Sequence, residues 1–222
     1  MTAWLLALGA AAMQPAAPLP DYSASGSEPF WSLEIRGRRI IFRSNDGSGP
    51  DEGISAALPR RQVLRRGYRL VTPRFTVLVG QRVCADEGER SYADTVTVTL
   101  RGHQYRGCGG RLLPPERLEA TDWRIEAIAN ARVSGDAYVI GFYEGRIRAR
   151  AGCNTLTGPF RQRGNRFTAG PITATRMACP GERMAHERAL ARLLRGPVLV
   201  SFPAGDVMVL TGSGVTLRLR RT

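Results

Sequence analysis

Four cysteines are the residues of this sequence whose spacing most clearly indicates covalent chemistry. They fall into two pairs, Cys84 with Cys108 and Cys153 with Cys179, and each pair would close a loop of about 25 residues. In an oxidising compartment, a disulfide across such a loop stabilises a fold by on the order of 3 kcal/mol. We therefore predict one disulfide in each half of the chain, although spacing alone leaves the other two pairings of four cysteines open.

Metal binding and catalysis require further ligands or bases, and the sequence offers few of them. A zinc site takes four clustered ligands, whereas this chain has no C-x-x-C motif and two histidines. His103 follows Arg101-Gly102, which predicts an exposed hairpin turn, and His186 is predicted to be solvated. The acidic loop 45–52 lacks the EF-hand spacing of a calcium site. The common hydrolase and nucleotide motifs are absent as well, so we predict a non-enzymatic protein with no metal, cofactor or catalytic residue.

Glu187 is the remaining candidate for acid–base chemistry. It lies within residues 180–195, which predict a helix because proline opens the segment and Gly196-Pro197 closes it. The predicted apolar stripe of this helix consists of Met184, Glu187, Leu190, Ala191 and Leu194. Two interpretations of the Glu187 carboxylate are open: it caps backbone or pairs with an arginine at the edge of the stripe, or it is a buried general acid with a raised pKa. No partner base can be named for the second interpretation.

Positive charge is distributed in a pattern along two predicted strands. The chain has a formal net charge of +13, and all 32 basic residues are arginine, a bias typical of a GC-rich genome. Arg146, Arg148 and Arg150 alternate along one strand, as do Arg218 and Arg220 along another, so each set shares one sheet face. Two interpretations are open: a solvated face, or a surface for anionic lipid headgroups, lipopolysaccharide or cell-wall polymers. No specific nucleic-acid partner is predicted.

The elements that must position these residues are mainly strands. Hydrophobic residues make up 43% of the chain and charged residues 23%, which is typical of a soluble globular protein. A two-residue period predicts strands at 32–35, 39–43, 68–72, 75–83, 95–100, 104–108, 123–127, 138–143, 146–151, 158–162, 166–169, 198–202, 207–211 and 215–220. Pro114-Pro115 divides them into domains 21–113 and 116–222. The predicted fold class is mainly β (α+β): two small antiparallel β-barrel or half-barrel domains, the second with one packed α-helix.

Residues 1–20 predict a signal peptide and spacer. The apolar stretch 4–13 is too short to span a bilayer, and Ala10 and Ala12 form an A-x-A-like cleavage site. No cysteine lies near that site, so a lipid anchor is not expected. We predict a periplasmic or exported protein with no transmembrane span after cleavage.

Two motifs in the second half resemble a known family. They are the G-C-N-x-x-x-G segment 152–158 and the T-x-M-A-C segment 175–179, followed by Glu187 in the predicted helix. With them, residues 116–222 resemble the META/HslJ-like domain family. The resemblance implies a small β-sheet with one helix, a bacterial envelope location and an association with heat-shock and novobiocin-resistance phenotypes.

The resemblance provides family-motif residues but no catalytic residue. The motif positions are Asn154, Gly158, Met177 and Glu187. Asn154 and Gly158 are interpreted as turn formers. Cys153 and Cys179, which belong to these two segments, are interpreted as a disulfide that links the hairpin region to the start of the helix.

The first half resembles a second, uncharacterised bacterial envelope domain. The resemblance rests on the G-x-E-P-F-W element, which contains Glu28, Pro29, Phe30 and Trp31, and on the glycine-flanked Cys108. We interpret Phe30 and Trp31 as core residues that close the end of a small barrel. The alternative is a stacking platform for an apolar or sugar ligand.

Taken together, the sequence predicts an exported, non-enzymatic cell-envelope protein with a stress-related or structural role. The alternative is a small β-barrel that binds an apolar or amphipathic ligand or an anionic envelope component. A pocket lined by Phe30 and Trp31 would favour ligand binding, whereas a barrel filled by its own side chains would favour the structural role. A lysozyme-inhibitor-like protein is less favoured, because lysozymes are commonly basic and a chain at +13 repels them.

Overall fold

The computed structural model of the chain describes residues 22–46, 53–178 and 181–222. The predicted signal peptide, most of the acidic loop, Cys179 and Pro180 lie outside the described residues. Of the described residues, 60% are in strands and 6% in the helix, which confirms the predicted mainly β fold.

The first half contributes ten strands to one antiparallel sheet. They are β1 (Tyr22–Ser27), β2 (Phe30–Arg36), β3 (Arg39–Ser44), β4 (Ile54–Ala57), β5 (Gln62–Leu64), β6 (Gly67–Val71), β7 (Phe75–Gly80), β8 (Cys84–Ala85), β9 (Ser91–Leu100) and β10 (His103–Leu112). The strand order is β4-β3-β2-β1-β10-β9-β7-β6-β5, with β8 paired to β9. The sheet curls into a half-barrel whose two edges are β4 and β5.

Side chains of the half-barrel fill its interior. Phe42 lies against Trp31, Phe75 and Tyr105, with ring centroids 6.0, 5.8 and 5.0 Å away. Valines and leucines of β6, β7 and β9 complete this core. The half-barrel is therefore a packed core, not an open ligand cavity.

The second half contributes ten strands and one helix. They are β11 (Thr121–Ile128), β12 (Ala131–Arg132), β13 (Tyr138–Tyr143), β14 (Arg146–Ala151), β15 (Thr155–Arg163), β16 (Arg166–Ala169), β17 (Thr173–Ala174), α1 (Glu182–Leu193), β18 (Val198–Ala204), β19 (Val207–Gly212) and β20 (Val215–Arg221). Eight of these strands form a closed antiparallel barrel, because β20 pairs back to β11. Outside this ring of eight strands, β12 pairs with β11 and β17 pairs with β15.

The barrel also has a filled interior. Fully buried Trp123 lies at its centre, and Phe142, Phe160 and Phe167 form a cluster with ring centroids between 5.0 and 6.2 Å apart. Helix α1 packs onto this core through Ala189, Leu190, Leu193 and Leu194. Among the described residues, no helix has the length and apolar character needed to cross a bilayer.

The side of α1 that is buried differs from the predicted apolar stripe. Leu190 and Leu194 are buried as expected, but Ala189 and Leu193 are buried too, whereas Met184 and Ala191 are half-buried. The buried side of the helix is thus rotated relative to the predicted stripe, because Leu193 and Leu194 both pack into the barrel core.

The strand expected at 158–162 spans Thr155–Arg163, and β1, β4 and β5 were not predicted. Serine, glycine and alanine in β1 give it no apolar alternation to detect.

Candidate functional site

The outer surface of β14 carries three arginines at alternate positions. Arg146 and Arg148 are exposed and Arg150 is half-buried, while the alternating Ile147 and Ala149 are buried. Because successive strand residues point to opposite sheet faces, the three guanidinium groups project outward in one row. This placement agrees with the alternation that the sequence predicts.

Threonine hydroxyls lie beside this row. In the barrel register, Arg148 is opposite Thr157 and Arg150 is opposite Thr155 on β15. Thr157 is in turn opposite Thr173 on β17. We name this surface the arginine–threonine face, defined by Arg146, Arg148, Arg150, Thr155, Thr157 and Thr173.

Two adjoining hollows open on the arginine–threonine face. One, of ≈ 310 Å³, lies over β13 and β14, and the other, of ≈ 450 Å³, lies over β15 and β17. Arg148 and Thr155 border both of them. Gly141 forms part of the first hollow, since a Cβ there would lie 2.5 Å from the Asp122 Oδ1 atom and 3.2 Å from the Tyr143 ring. A larger residue at position 141 would displace the Asp122 carboxylate or the Tyr143 ring at the border of this hollow.

The two predicted arginine rows differ in their electrostatic partners. Glu126 forms ion pairs with Arg218, at 3.6 Å, and with Arg220, at 2.6 Å, and Arg220 also pairs with Asp206. The hydrogen bond to Glu126 raises the pKa of Arg220 above its usual value. In the part of the chain that the structure describes, no carboxylate forms an ion pair with the three arginines of β14. The β14 row is therefore the one with charge available to a ligand.

Tyr143 and Asp122 mark the edge of the first hollow. The Tyr143 hydroxyl donates a short hydrogen bond to the Asp122 carboxylate. This bond, assisted by partial burial and by the nearby negative charge, raises the pKa of Tyr143 to about 12 from an ordinary 10.0. The phenol thus stays protonated well above the pH at which a free tyrosine ionises.

An Asp122→Asn variant tests whether the Asp122 carboxylate raises the pKa of Tyr143. Removing the carboxylate removes the acceptor charge that disfavours the phenolate, so we expect the pKa of Tyr143 to fall towards its ordinary value. At about pH 11, tyrosinate absorbance near 295 nm should then rise by about one tyrosine relative to the native protein. A Tyr143→Phe background should abolish the increase, and an increase that persists there would show that another tyrosine is responsible.

A second candidate site of the barrel, which we name the Asn154 motif, consists of the Asn154 side chain and its hydrogen-bond partners. The Asn154 side chain is 3% exposed. Its Oδ1 atom accepts hydrogen bonds from the Met177 backbone N–H at 2.7 Å and from the Thr175 hydroxyl at 2.9 Å. Its Nδ2 atom donates to the Met177 carbonyl at 3.0 Å and to the Glu187 carboxylate at 2.9 Å. Asn154 therefore joins the segment before α1 to the helix itself. Asn154 lies in the connection between β14 and β15, where a turn former was predicted, and its side chain has this additional role.

Gly158, in contrast, is not a turn former, because it lies inside β15. A Cβ there would approach the Pro171 carbonyl and the Ile172 side chain to 2.7 Å. The glycine is needed where residues 171–172 cross the strand closely.

Glu187 and His186 have partners that the sequence did not indicate. Glu187 accepts from the Asn154 amide, and among the described residues no arginine forms an ion pair with it and no backbone group binds it. His186 is half-buried, with its Nδ1 atom 3.1 Å from the Tyr138 hydroxyl, so the expectation of a solvated ring is wrong. Met177 takes part in the motif through its backbone, since its side chain is 57% exposed.

The two aromatic residues of the G-x-E-P-F-W element point to opposite sides of β2. Trp31 is fully buried and its Nε1 atom donates to the Arg106 carbonyl at 3.2 Å, whereas Phe30 is 57% exposed. The expectation that both close the core is wrong for Phe30, because adjacent strand residues face opposite ways. A buried Trp31 is not available as a stacking platform.

The three cysteines that the structure describes are oxidised. Cys84 and Cys108 form a disulfide with Cα atoms 5.4 Å apart, which is one of the two predicted pairs. Cys153 is also disulfide-bonded, and its predicted partner Cys179 lies outside the described residues. Exposed His103 begins β10, next to the predicted turn. The described residues contain no cluster of three or more His, Cys, Asp or Glu that could hold a metal ion.

Comparisons with known proteins bear on the second half of the chain. Residues 116–222 match the META domain family. The C-terminal half thus contains a META domain. It comprises the closed barrel, helix α1, the arginine–threonine face and the Asn154 motif.

Two solved structures are similar over about the same length. A protein from Burkholderia xenovorans, known from NMR, is 23% identical over 47% of this chain and 83% of its own, with a TM-score of 0.40. A second NMR structure is 20% identical over 45% of this chain and 87% of its own, with a TM-score of 0.41. No curated protein matches the chain.

Proposed function

We propose that this protein is an exported, non-enzymatic envelope protein whose META domain binds the phosphate groups of anionic envelope lipids through the arginine–threonine face. The observation that carries the proposal is the row of three outward arginines on β14, which have no ion-pair partner among the described residues. The stress-related or structural role implied by the family resemblance belongs to the same proposal.

The chemistry of the face suits phosphate. Guanidinium groups donate paired hydrogen bonds to phosphate oxygens, and threonine hydroxyls add single donors. Alternate residues along a strand are about 6.7 Å apart, so the row can contact several neighbouring headgroups. The hollows on either side of Arg148 give these groups room to enter between the side chains.

Two further observations support the proposal. The disulfides favour an oxidising compartment, which is consistent with the predicted signal peptide. The interiors of both sheets are filled by their own side chains, and Trp31 and Trp123 have no exposed surface. Binding on an outer face is therefore favoured over an apolar ligand inside a barrel.

A triple variant, Arg146→Gln, Arg148→Gln and Arg150→Gln, tests the proposed function. Each arginine near an anionic membrane contributes about 1 kcal/mol, so we expect the variant to bind phosphatidylglycerol vesicles on the order of 100-fold more weakly. The measurement is co-sedimentation of the protein with these vesicles over a range of salt concentrations. Phosphatidylcholine vesicles provide the neutral control.

The matched control is Arg65→Gln, Arg66→Gln and Arg69→Gln, which removes the same charge from exposed positions on the half-barrel. We expect a much smaller loss, because these positions are not on the arginine–threonine face. Equal losses for both triple variants would mean that binding follows net charge alone. Competition by inorganic phosphate at matched ionic strength would show that free phosphate occupies the face as well as lipid headgroups.

A further inference from the structure

Asp122, Gly141 and Arg148 form a row across three neighbouring strands of the barrel. Asp122 on β11 is opposite Gly141 on β13, and Gly141 is in turn opposite Arg148 on β14. The three positions face outwards, because the residues beside them along each strand are buried. Two strand spacings separate the outer members of the row, so the Cα atoms of Asp122 and Arg148 are about 10 Å apart.

Gly141 leaves a gap between these two charged side chains. The gap is the floor of the hollow of ≈ 310 Å³, which Asp122 and Arg148 border from opposite sides. The Asp122 Oδ1 atom lies over this floor, 2.5 Å from the position that a Cβ of residue 141 would take. Pockets for small ligands begin at about 300 Å³, so the hollow has room for a single small headgroup. We name it the Gly141 pocket.

The two oxygens of the Asp122 carboxylate have different environments. The Oδ2 atom accepts the hydrogen bond of the Tyr143 hydroxyl, which fixes the orientation of the carboxylate. Within the described ranges, no group donates a hydrogen bond to the Oδ1 atom, which is the oxygen over the floor. A carboxylate oxygen can accept more than one hydrogen bond. Asp122 therefore offers the Gly141 pocket an acceptor for a donor group of a ligand.

The opposite side of the Gly141 pocket offers donors. Exposed Arg148 and half-buried Arg150 both border the pocket, and neither forms an ion pair with a described carboxylate. Guanidinium groups bind phosphate oxygens through paired hydrogen bonds. A ligand that fits both sides therefore combines a phosphate with a hydrogen-bond donor.

We propose that the Gly141 pocket selects phosphodiester headgroups that carry a free hydroxyl, such as phosphoglycerol. The phosphate accepts hydrogen bonds from Arg148 and Arg150, and the headgroup hydroxyl donates to the Asp122 Oδ1 atom. This inference rests on the proposed function, and it names the class of lipid that the arginine–threonine face prefers.

The charges around the Gly141 pocket favour a hydroxyl over an ammonium group as the donor. Arg124 is exposed on the same sheet face as Asp122, and it lies opposite Val139 at the border of the pocket. Three guanidinium groups, those of Arg124, Arg148 and Arg150, thus outnumber the one carboxylate. A cationic headgroup is repelled on balance, whereas a hydroxyl brings no charge.

The test compares two anionic lipids of equal charge, one with headgroup hydroxyls and one without. The full chain is mixed with vesicles of equal parts phosphatidylcholine and either phosphatidylglycerol or phosphatidylpropanol, and bound protein is measured by co-sedimentation. We expect about tenfold tighter binding to phosphatidylglycerol, because its hydroxyl gains a hydrogen bond to a charged group. Vesicles with phosphatidylethanolamine in place of these lipids should bind more weakly than either, and tighter binding to them than to phosphatidylpropanol would overturn the preference for a hydroxyl.

Two variants connect the preference to the Gly141 pocket. Asp122→Ala removes the acceptor, and Gly141→Ala fills the floor without requiring a left-handed backbone conformation. Each variant should bind the two anionic lipids equally. The ratio between the lipids is the measured quantity, because loss of the Asp122 charge strengthens binding to both. Asp136→Ala, at an exposed loop position, is the matched control and should retain the native preference.

The outcomes separate this inference from the proposed function. Equal binding of the native chain to both anionic lipids, or a preference that survives in Asp122→Ala and Gly141→Ala, would overturn the inference alone. Undiminished binding of the Arg146, Arg148 and Arg150 triple variant to both lipids would overturn the proposed function.

A soluble competitor distinguishes a membrane lipid from a free ligand of the same chemistry. Glycerophosphoglycerol is the phosphatidylglycerol headgroup without acyl chains, and we expect it to displace the protein from vesicles only in large excess over the lipid. Displacement by an equal amount would overturn the assignment of the Gly141 pocket to a membrane lipid in favour of a soluble phosphodiester.

Discussion

An Asn154→Ala variant is expected to lower the free energy of unfolding by on the order of 3 kcal/mol. The alanine removes the hydrogen bonds that the Asn154 side chain makes to the Met177 backbone N–H and carbonyl and to the Glu187 carboxylate. Because the Asn154 side chain is 3% exposed, water does not readily replace these bonds. Urea unfolding, followed by intrinsic fluorescence, measures the change.

Variants around the same contact separate hydrogen bonding from packing. Glu187→Gln retains an acceptor for the Asn154 amide, so we expect a small effect. Asn154→Asp places two carboxylates together and should cost at least as much as alanine. Asn165→Ala, at an exposed turn, is the matched control and should change stability by less than about 0.5 kcal/mol. An Asn154→Ala variant as stable as Asn165→Ala would contradict the structural role assigned to this motif.

A Trp31→Ala variant is expected to destabilise the half-barrel by about 3 to 5 kcal/mol. The substitution leaves a cavity beside Phe42 and removes the indole N–H that binds the Arg106 carbonyl. The measurement is again the unfolding free energy.

The neighbouring residue provides the control for Trp31. Phe30→Ala removes an aromatic ring one position away, but this ring is 57% exposed. We expect a loss well under half of that for Trp31→Ala. Similar losses for both variants would mean that Phe30 shares the core after all.

Alternation along single strands could be read from the sequence with good accuracy. The outward row on β14 follows from the spacing of Arg146, Arg148 and Arg150, because a strand has a strict two-residue period. The same rule, applied to Phe30 and Trp31, indicates that two adjacent residues cannot both point inward. The overall β fold with one helix followed from the same periodicity.

Contacts between distant segments could not be predicted in this way. Asn154 and Glu187 are 33 positions apart and meet because α1 packs onto the barrel, whose closure no local pattern reveals. Glu126 and Arg220 pair across the β11–β20 closure, which neutralises one of the two arginine rows.

The most direct test of the central claim is a titration of the ¹⁵N-labelled chain with short-chain phosphatidylglycerol below its micelle concentration. We expect amide shifts over β13, β14, β15 and β17, and few shifts with the matching phosphatidylcholine. The triple substitution of Arg146, Arg148 and Arg150 should remove these shifts. Shifts centred on α1 or on the half-barrel, or equal responses to both lipids, would contradict the assignment of the arginine–threonine face as the binding surface.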